Sequence, residues 1–484
     1  MSLKQSIISG LMWSFIDKFA SQFITFVVGI VMARLLTPAD FGLIGMLTIF
    51  IALSSIFIQS GFNQALIRKT NCTEKDYATV FYFNLVISVL FYMILIFSSK
   101  LISNFYNESV LEKLIIVIGL TLIINALTIV QRTILIKKIN FRLLTRISII
   151  AAIGSGGLGI YFAYTGYGVW SLVYKLLAHG IITSGLLWMW NKWYPKEKFS
   201  FQIFKELFRF SKNLMLLGLI DTIYRNIYYL ILGKFYPVEN LGQYTKAQSF
   251  KILPAETMSA IVDRVSYPVL SSIQNDKSRY EEVFLRLLKC SSLITFVLLI
   301  GLSAISKEIT IVLMGPQWAI AGEYLEILCF SVLFFPLDKM MSSILKIAGR
   351  SDLILKLGLI RKIMAIPIIL TAIFVGIKPM LYVLAFQQLG VAILMISYGS
   401  KFVNLKPIRI FLNLMPALII SIVMFLALKV FTTLLDVDLF YQLLLKILLG
   451  TIISLGLFEI TKNKDYRYLK NEAINKIRSI FKKI

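Results

Sequence analysis

The sequence has few charged residues, few cysteines and a single histidine. Only 15% of its 484 residues are charged, whereas 58% are hydrophobic. In soluble domains about a quarter of the residues are charged, so a soluble globular protein is excluded. Three scattered cysteines do not make a disulfide framework. No second histidine, cysteine or carboxylate stands at ligand spacing from His179, so we expect no metal site and interpret His179 as a packing residue.

Long apolar segments recur from one end of the chain to the other. About 20 apolar residues are needed to cross a bilayer as a helix, and fourteen segments reach that length. They lie near residues 11–33, 41–62, 77–98, 112–131, 147–165, 168–190, 210–233, 241–270, 287–306, 320–343, 353–377, 379–400, 412–431 and 440–461. The predicted fold is an all-α polytopic membrane protein with about 14 transmembrane helices. The eighth segment is long and amphipathic, and we expect Pro254 and Pro268 to break it.

The distribution of basic residues orients these segments. The 50 Lys and Arg residues outnumber the 25 acidic residues, and loops that stay in the cytoplasm are enriched in Lys and Arg. With the N-terminus inside, 33 basic residues fall in cytoplasmic segments and 7 in outside loops. The cytoplasmic group includes Arg132, which we assign to a loop ending at Arg146. Both termini are therefore predicted to be cytoplasmic, and the short outside loops leave no room for an enzymatic domain.

A short motif occurs twice, 200 residues apart. Arg34–Gly42 and Lys234–Gly242 each place a basic residue at a helix end, then a proline, then a helix start with a glycine. Both copies open a group of six helices on the same side, which predicts two parallel six-helix bundles related by a pseudo-two-fold axis along the membrane normal. The predicted organisation is 1–193 for the first bundle, 194–209 for a cytoplasmic linker, 210–400 for the second bundle, 401–462 for an additional helix pair and 463–484 for a basic amphipathic tail.

Three stretches near the N-terminus resemble a known family. They are residues 10–18 (GLMWSFIDK), 33–43 (ARLLTPADFGL) and 59–67 (QSGFNQALI). They resemble the polysaccharide transporter family, the Wzx-type flippases of the multidrug/oligosaccharidyl-lipid/polysaccharide exporter superfamily, and most closely its colanic and teichuronic acid exporter branch. The resemblance implies a bacterial inner-membrane protein that moves an undecaprenyl-diphosphate-linked oligosaccharide to the periplasmic leaflet for O-antigen, capsule or exopolysaccharide export. It also implies other polysaccharide-assembly membrane proteins as partners.

Ionisable residues inside the spans are the candidate functional residues. A charge in the bilayer costs several kcal/mol unless it is paired or faces water, so we expect a water-filled cavity between the halves with a positive lining for a diphosphate. The candidate anion contacts are Lys18, Lys175, Arg225, Lys251, Arg264, Lys339 and Arg361, and the candidate counter-ions or coupling sites are Asp17, Asp221, Glu256 and Asp263. Structural pairing is the alternative for each, as for Asp221 and Arg225, four residues apart. Lys429 and Lys446 need no substrate role.

Other patterns separate the competing functions. A cation-coupled multidrug exporter of the same superfamily is the alternative, but it would favour an acidic cavity. No P-loop lysine is present, so no ATP or other cofactor is predicted, and coupling to Na⁺, H⁺ or the membrane potential stays open. Gly154, Gly156 and Gly159 have the spacing of a dinucleotide fingerprint but lie in an apolar span, which indicates helix packing. The basic tail predicts binding to anionic inner-leaflet lipids, not to nucleic acid.

Overall fold

A computed structural model describes residues 3–59, 61–434 and 437–481, and these residues form helices and short connections without a β-strand. The first helices are α1 (Leu3–Leu35), α2 (Pro38–Gln59), α3 (Phe62–Arg68), α4 (Glu74–Tyr106), α5 (Val110–Lys137), α6 (Phe141–Tyr164), α7 (Val169–Asn191), α8 (Phe201–Phe235) and α9 (Val238–Ser272). They are followed by α10 (Lys277–Ala304), α11 (Ser306–Met314), α12 (Ala319–Phe330), α13 (Phe335–Ile347), α14 (Ser351–Ile363), α15 (Ile366–Phe374), α16 (Ile377–Val403), α17 (Pro407–Leu434), α18 (Leu439–Ile460) and α19 (Lys464–Phe481).

Within the described ranges, thirteen helical segments are long and apolar enough to cross a membrane. They coincide with thirteen of the fourteen predicted segments and confirm the all-α polytopic fold. The eighth predicted segment is α9, which is too polar to be counted among the thirteen. The prediction that Pro254 and Pro268 break this segment is wrong, because α9 continues through both prolines. A proline removes one backbone hydrogen bond, and the surrounding turns of a long helix can hold the backbone in place.

Several helices extend beyond the predicted spans, so the connections are shorter than expected. α4 begins at a capping box in which Thr73 accepts from the Asp76 backbone and Asp76 from the Thr73 backbone. It ends at Asn107, whose positive φ of 60° stops the helix. α5 starts at Val110, so only residues 107–109 connect it to α4, whereas the predicted segments 77–98 and 112–131 leave a longer loop between them.

The chain divides into two compact units, which meet within α9 between Thr245 and Lys246. In unit 1, α1 packs against α6, α6 against α7, and α5 against both α4 and α7. α8 also belongs to unit 1, where it packs against α2, α3 and α4. In unit 2, α10 packs against α17, and α16 against α13 and α15. The predicted bundle boundaries stay a prediction; by packing, the helix that follows the predicted linker groups with unit 1.

The two copies of the repeated motif contact each other within unit 1. A Cβ placed on Gly42 would lie 2.0 Å from the carbonyl oxygen of Val238, and one on Gly242 would lie 1.8 Å from that of Pro38. The contacts are reciprocal, because each pairs the glycine of one copy with the helix start of the other. Equivalent hairpins, α1–α2 and α8–α9, therefore meet through equivalent residues, as at a two-fold contact. Only glycine permits this approach of two backbones.

Two interhelical ion pairs connect the C-terminal helices α17 and α18 to other helices of unit 2. Lys446 of α18 contacts Glu308 of α11 at 2.7 Å, and their side chains are only 2% and 8% exposed. Lys429 of α17 contacts Glu326 of α12 at 2.8 Å. Neither lysine therefore needs to reach the membrane surface. A buried charge in a membrane protein is retained at low cost only when its partner is present.

Removing Lys446 is expected to destabilise the protein strongly. The variant Lys446→Ala leaves Glu308 buried without a partner, which costs about 3–5 kcal/mol of unfolding free energy. The measurement is unfolding of the purified protein in detergent. The matched control is Lys378→Ala, which removes an exposed pair with Glu323 at the same distance of 2.7 Å and should cost no more than about 1 kcal/mol. Equal losses in the two variants would contradict the assignment.

The basic tail forms helix α19, which packs against α10 and α18. Asp465 lies 3.7 Å from Lys289, Tyr466 stacks on Phe458, and Lys470 pairs with Glu459. The predicted amphipathic face also includes Ile477, Ile480 and Phe481, whose side chains lie outside the described part of the chain, as do residues 482–484. Binding of the tail to anionic lipids stays a prediction.

Candidate functional site

Unit 1 contains a polar cavity of about 430 Å³ among α2, α3, α5 and α7. Its polar lining consists of Ser55, Gln59, Asn63, Asn125, Thr128, Arg132, Thr133, His179 and Thr183. No aspartate or glutamate is among the residues found to line it. Hydroxyl, amide and cationic groups on membrane-spanning helices indicate a space for water or a polar ligand, because lipid cannot satisfy them. The absence of a lining carboxylate favours an anion.

Arg132 is the strongest positive group of this cavity. The predicted loop position of Arg132 is wrong, because Arg132 lies inside α5, five residues before the helix ends at Lys137. Helix α5 simply continues past the apolar run from which its end was predicted. The guanidinium is exposed to the cavity and makes no hydrogen bond or ion pair with the described residues, although Asp17 of α1 interacts with it electrostatically. Its donors are therefore available to a ligand.

His179 and Lys175 lie one turn apart on α7. The His179 Nδ1 atom is 3.4 Å from the Ser155 hydroxyl, and both Arg132 and Lys175 interact with the imidazole electrostatically. His179 lies at hydrogen-bonding distance from Ser155, as a satisfied packing histidine would, but its side chain also lines the cavity. A sequence signal existed: His179 and Thr183 are polar residues four positions apart in an apolar segment, which places them on one helix face.

Lys175 is held against α6 by a close helix contact. A Cβ on Gly159 would lie 2.9 Å from the Lys175 Cβ, so the missing side chain makes room for the lysine stem. On the same helix, a Cβ on Gly156 would lie 2.6 Å from a methyl group of Val28. These contacts confirm the packing interpretation of the glycine motif. Lys175 is half-buried and makes no hydrogen bond or ion pair with any described residue.

The cavity is bordered at one end by α3 and the loop that follows it. Lys137, at the end of α5, donates hydrogen bonds to the carbonyl oxygens of Leu66 and Lys69, at 3.0 and 2.5 Å. Lys69 in turn contacts Asp76 at 2.8 Å, and the hydrogen bond to this carboxylate raises the pKa of Lys69. These lysines fix the border of the cavity, because each satisfies groups that would otherwise lack partners.

Unit 2 contains a row of four interacting charges on three helices, which we call the charge row. Lys339 lies 3.3 Å from Asp263 of α9, and Asp338, the preceding residue on α13, accepts from Arg361 of α14 at 2.6 Å. Neighbouring residues of a helix point in different directions, so Asp338 and Lys339 do not pair with each other, and each contacts an opposite charge on another helix. Three predicted site residues, Asp263, Lys339 and Arg361, are thus brought together. Asp338 was missed as a candidate, although the sequence places it beside Lys339.

Two of the helices that carry the charge row belong to longer membrane-capable segments, Pro316–Ile347 and Ser351–Phe374, and the charges lie well inside these segments. Asp263 is nine residues from the end of α9, Lys339 eight residues from the end of α13, and Arg361 ten residues from the start of α14. At 1.5 Å per residue these distances are about 12–15 Å, close to half of a hydrocarbon core of about 30 Å. Lys339 and Asp263 are nevertheless 45% and 42% exposed. Exposed charges at this depth indicate contact with water and not with lipid.

Two interrupted helices position the charge row. Four turn residues, 331–334, separate α12 from α13, and residues 364–365 separate α14 from α15, with a proline at the start of each following helix. Asp338 lies in the first turn of α13, and Arg361 and Lys362 lie in the last turn of α14. Negative charge at a helix N-terminus and positive charge at a C-terminus are both favourable. Interrupted membrane helices commonly form ligand sites in transporters.

The remaining predicted site residues are more dispersed. Arg225 is exposed, and its pairing with Asp221, the alternative to a substrate role, stays a prediction. Lys251 is only 7% exposed and makes no hydrogen bond or ion pair with the described residues. Asp17 is half-buried and accepts from the Ser21 hydroxyl at 3.3 Å. Lys18, Arg264, Asp221 and Glu256 are exposed.

A comparison with protein-family models matches residues 31–323, more than half of the chain, to a family described as "Polysaccharide biosynthesis protein". The chain belongs to this polysaccharide biosynthesis family. The matched range contains the repeated motif, the unit 1 cavity and part of the unit 2 helices. This finding confirms the resemblance to polysaccharide transporters stated from the N-terminal motifs.

Curated relatives of this polysaccharide biosynthesis protein cover most of its length. It is 27% identical over 358 residues to the teichuronic acid biosynthesis protein TuaB of Bacillus subtilis, a match that covers 73% of each chain. It is 23% identical over 375 residues to the lipopolysaccharide biosynthesis protein WzxC of Escherichia coli, covering 76% of this chain and 75% of the relative. These relatives take part in the synthesis of different polysaccharides.

Solved structures show the same fold. The lipid II flippase MurJ in an inward closed conformation matches 95% of this chain and 99% of its own with a TM-score of 0.74 at 18% identity. An inward-facing multidrug resistance transporter of the MATE family, in the MOP superfamily, covers 81% of this chain and 98% of its own with a TM-score of 0.63 at 15% identity. The polysaccharide biosynthesis protein therefore has the helical fold of MOP superfamily transporters.

Proposed function

We propose that this protein flips an undecaprenyl-diphosphate-linked oligosaccharide across the bacterial inner membrane by alternating access, for export of a surface polysaccharide. The observation that carries the proposal is the cavity of unit 1, a polar space on membrane helices lined by Arg132 and His179 and by no carboxylate. The family match and the likeness to a lipid II flippase support it. An exporter of cationic drugs would need a cavity with a negatively charged lining.

The proposal assigns the cationic groups to the diphosphate. Arg132 and Lys175 have no ion pair with a described residue and can bind phosphate oxygens directly, Arg132 through its planar fork and Lys175 as a point charge. The other proposed anion contacts are Lys18, Arg225, Lys251, Arg264, Lys339 and Arg361. Asp263 and Asp338 are counter-ions of the charge row, which keep binding weak enough for release. Asp17 is the counter-ion of Arg132. Asp221 and Glu256 are further candidate counter-ions or coupling sites.

The proposal also includes an orientation and an energy source. Both termini lie in the cytoplasm, where α19 contacts anionic lipid headgroups through its basic residues. The chain binds no cofactor and catalyses no covalent chemistry. Transport is coupled to Na⁺, H⁺ or the membrane potential, and other polysaccharide-assembly proteins of the membrane receive the substrate.

A leaflet-accessibility assay tests the function. Vesicles containing the purified protein and a labelled undecaprenyl-diphosphate oligosaccharide should show protein-dependent exposure of the label on the opposite leaflet. The variant Arg132→Gln should lower the initial rate at least about tenfold, because a charge-assisted phosphate contact contributes about 1.5–3 kcal/mol.

The matched control is Arg142→Gln, which removes an exposed arginine near the start of α6 and should leave the rate unchanged. Movement that survives Arg132→Gln would contradict the site. If the wild-type protein moved no lipid-linked sugar, the flippase proposal would fail and the multidrug exporter would become the leading function.

A further inference from the structure

The only histidine of the chain, His179, lines the cavity of unit 1 together with Arg132, and Lys175 lies one turn before the histidine on α7. His179 interacts electrostatically with Arg132 and with Lys175, and its Nδ1 atom approaches the Ser155 hydroxyl at 3.4 Å. The imidazole is exposed to the cavity. Histidine is the side chain whose charge ordinarily changes near physiological pH. Protonation of His179 therefore adds a positive charge to a cavity whose lining already contains Arg132.

We propose that binding of an anionic headgroup in the unit 1 cavity is coupled to the uptake of one proton by His179. The proposal rests on the proposed function, since the anion is the phosphate group of the flipped lipid. The proton enters from the solution to which the cavity is open, is held on an imidazole nitrogen while the anion is bound, and leaves to solution when the anion leaves. No bond other than N–H forms or breaks.

The groups that face His179 on each neighbouring helix support this coupling. α5 contributes Arg132, α7 itself contributes Lys175, and α6 contributes the neutral Ser155. α2 contributes Ser55 and Gln59 to the lining, which do not titrate. One carboxylate, Asp17 of α1, interacts electrostatically with Arg132. Among the described groups around the imidazole, the charges are therefore mainly positive.

The physical basis is reciprocal linkage. In the empty cavity, a protonated His179 adds a third positive charge close to two others, which is unfavourable at short distance and low dielectric. A bound divalent anion reverses the sign of this interaction and stabilises the imidazolium. If the anion favours protonation, protonation must favour the anion by the same factor. The affinity for the anion should then fall as pH rises, by up to about tenfold per pH unit.

Nuclear magnetic resonance of the full-length protein in detergent tests the coupling. Selective isotope labelling of histidine gives one imidazole signal, because His179 is the only histidine. The probe is sulfate, whose charge is constant between about pH 5 and pH 8, where histidine titrates. Sulfate should shift the midpoint of the imidazole titration to higher pH by about one unit, and sulfate affinity should weaken with pH in parallel.

Two variants separate this coupling from a structural role of the histidine. His179→Gln should still bind sulfate, with an affinity that does not change with pH over this range. Arg132→Gln should lose the shift of the imidazole midpoint, and Arg142→Gln should keep it. Because the main readout uses the wild-type protein, misfolding of a variant does not prevent the test.

The outcomes distinguish the coupling from the proposed function. Sulfate binding without any change in the imidazole titration would overturn the coupling and leave the flippase intact. Absence of sulfate binding at every pH would overturn both the coupling and the anion site in unit 1. Whether the protein flips a lipid-linked oligosaccharide is decided separately, by the vesicle assay with the wild-type chain.

Discussion

Replacing Gly42 or Gly242 with alanine is expected to abolish transport and to destabilise unit 1. The new Cβ atom would lie 2.0 Å from the Val238 carbonyl oxygen in the first variant and 1.8 Å from that of Pro38 in the second. Both obstacles are backbone atoms, which cannot rotate away as a side chain can. The two hairpins must separate, and overpacking of this kind costs about 1–3 kcal/mol or more. Thermal unfolding in detergent and the vesicle assay measure the two effects.

Another glycine of unit 1 supplies the control for these variants. Gly157 lies in α6, where a Cβ would meet no atom within 4 Å. Gly157→Ala should be neutral or stabilise the protein by about 0.5–1 kcal/mol, because alanine favours a helix over glycine. Because the contact of the two motif copies is reciprocal, Gly42→Ala and Gly242→Ala should have similar effects. If either variant behaved like Gly157→Ala, the close contact between the two copies of the motif would not exist in the protein in the membrane.

The second large effect is expected from Arg361→Gln in the charge row. This variant leaves Asp338, whose side chain is only 13% exposed, without its partner at 2.6 Å. We expect a loss of up to about 3 kcal/mol, the lower end of the range for buried pairs, because Arg361 keeps some contact with solvent. Unfolding of the purified protein gives the free energy, and the vesicle assay gives the rate.

A double variant separates pairing from substrate binding. Arg361→Gln combined with Asp338→Asn removes both charges, so it should recover part of the lost stability. If Arg361 also binds the substrate diphosphate, the double variant regains stability without regaining transport. The control is Arg409→Gln, which removes a 2.7 Å pair with Glu281 from an arginine that is 60% exposed and should cost no more than about 1 kcal/mol. If the double variant recovered both stability and transport, the pair of Arg361 and Asp338 would have only a structural role.

The spans and the repeated motif could be predicted because their signals are local. A run of about 20 apolar residues marks a membrane helix whatever its neighbours are, and thirteen of the fourteen segments agree with the structure. The ends of the helices were harder to predict. Arg132 stands after an apolar run, where a positive charge ordinarily indicates a loop, but α5 continues to Lys137. The six additional residues of the helix place Arg132 within α5, where it lines the cavity.

The sequence by itself determined that this is a polytopic helical membrane protein, and it indicated which residues within the spans carry charge. It also contained both copies of the motif, because spacing along the chain is visible without a structure. Only the tertiary structure decided that Asp338 pairs with Arg361 and Lys446 with Glu308, and that Arg132 and His179 line the same cavity. The physical reason is that hydropathy depends on neighbours in sequence, whereas an ion pair or a cavity depends on the rotation and depth of separate helices, which packing alone establishes.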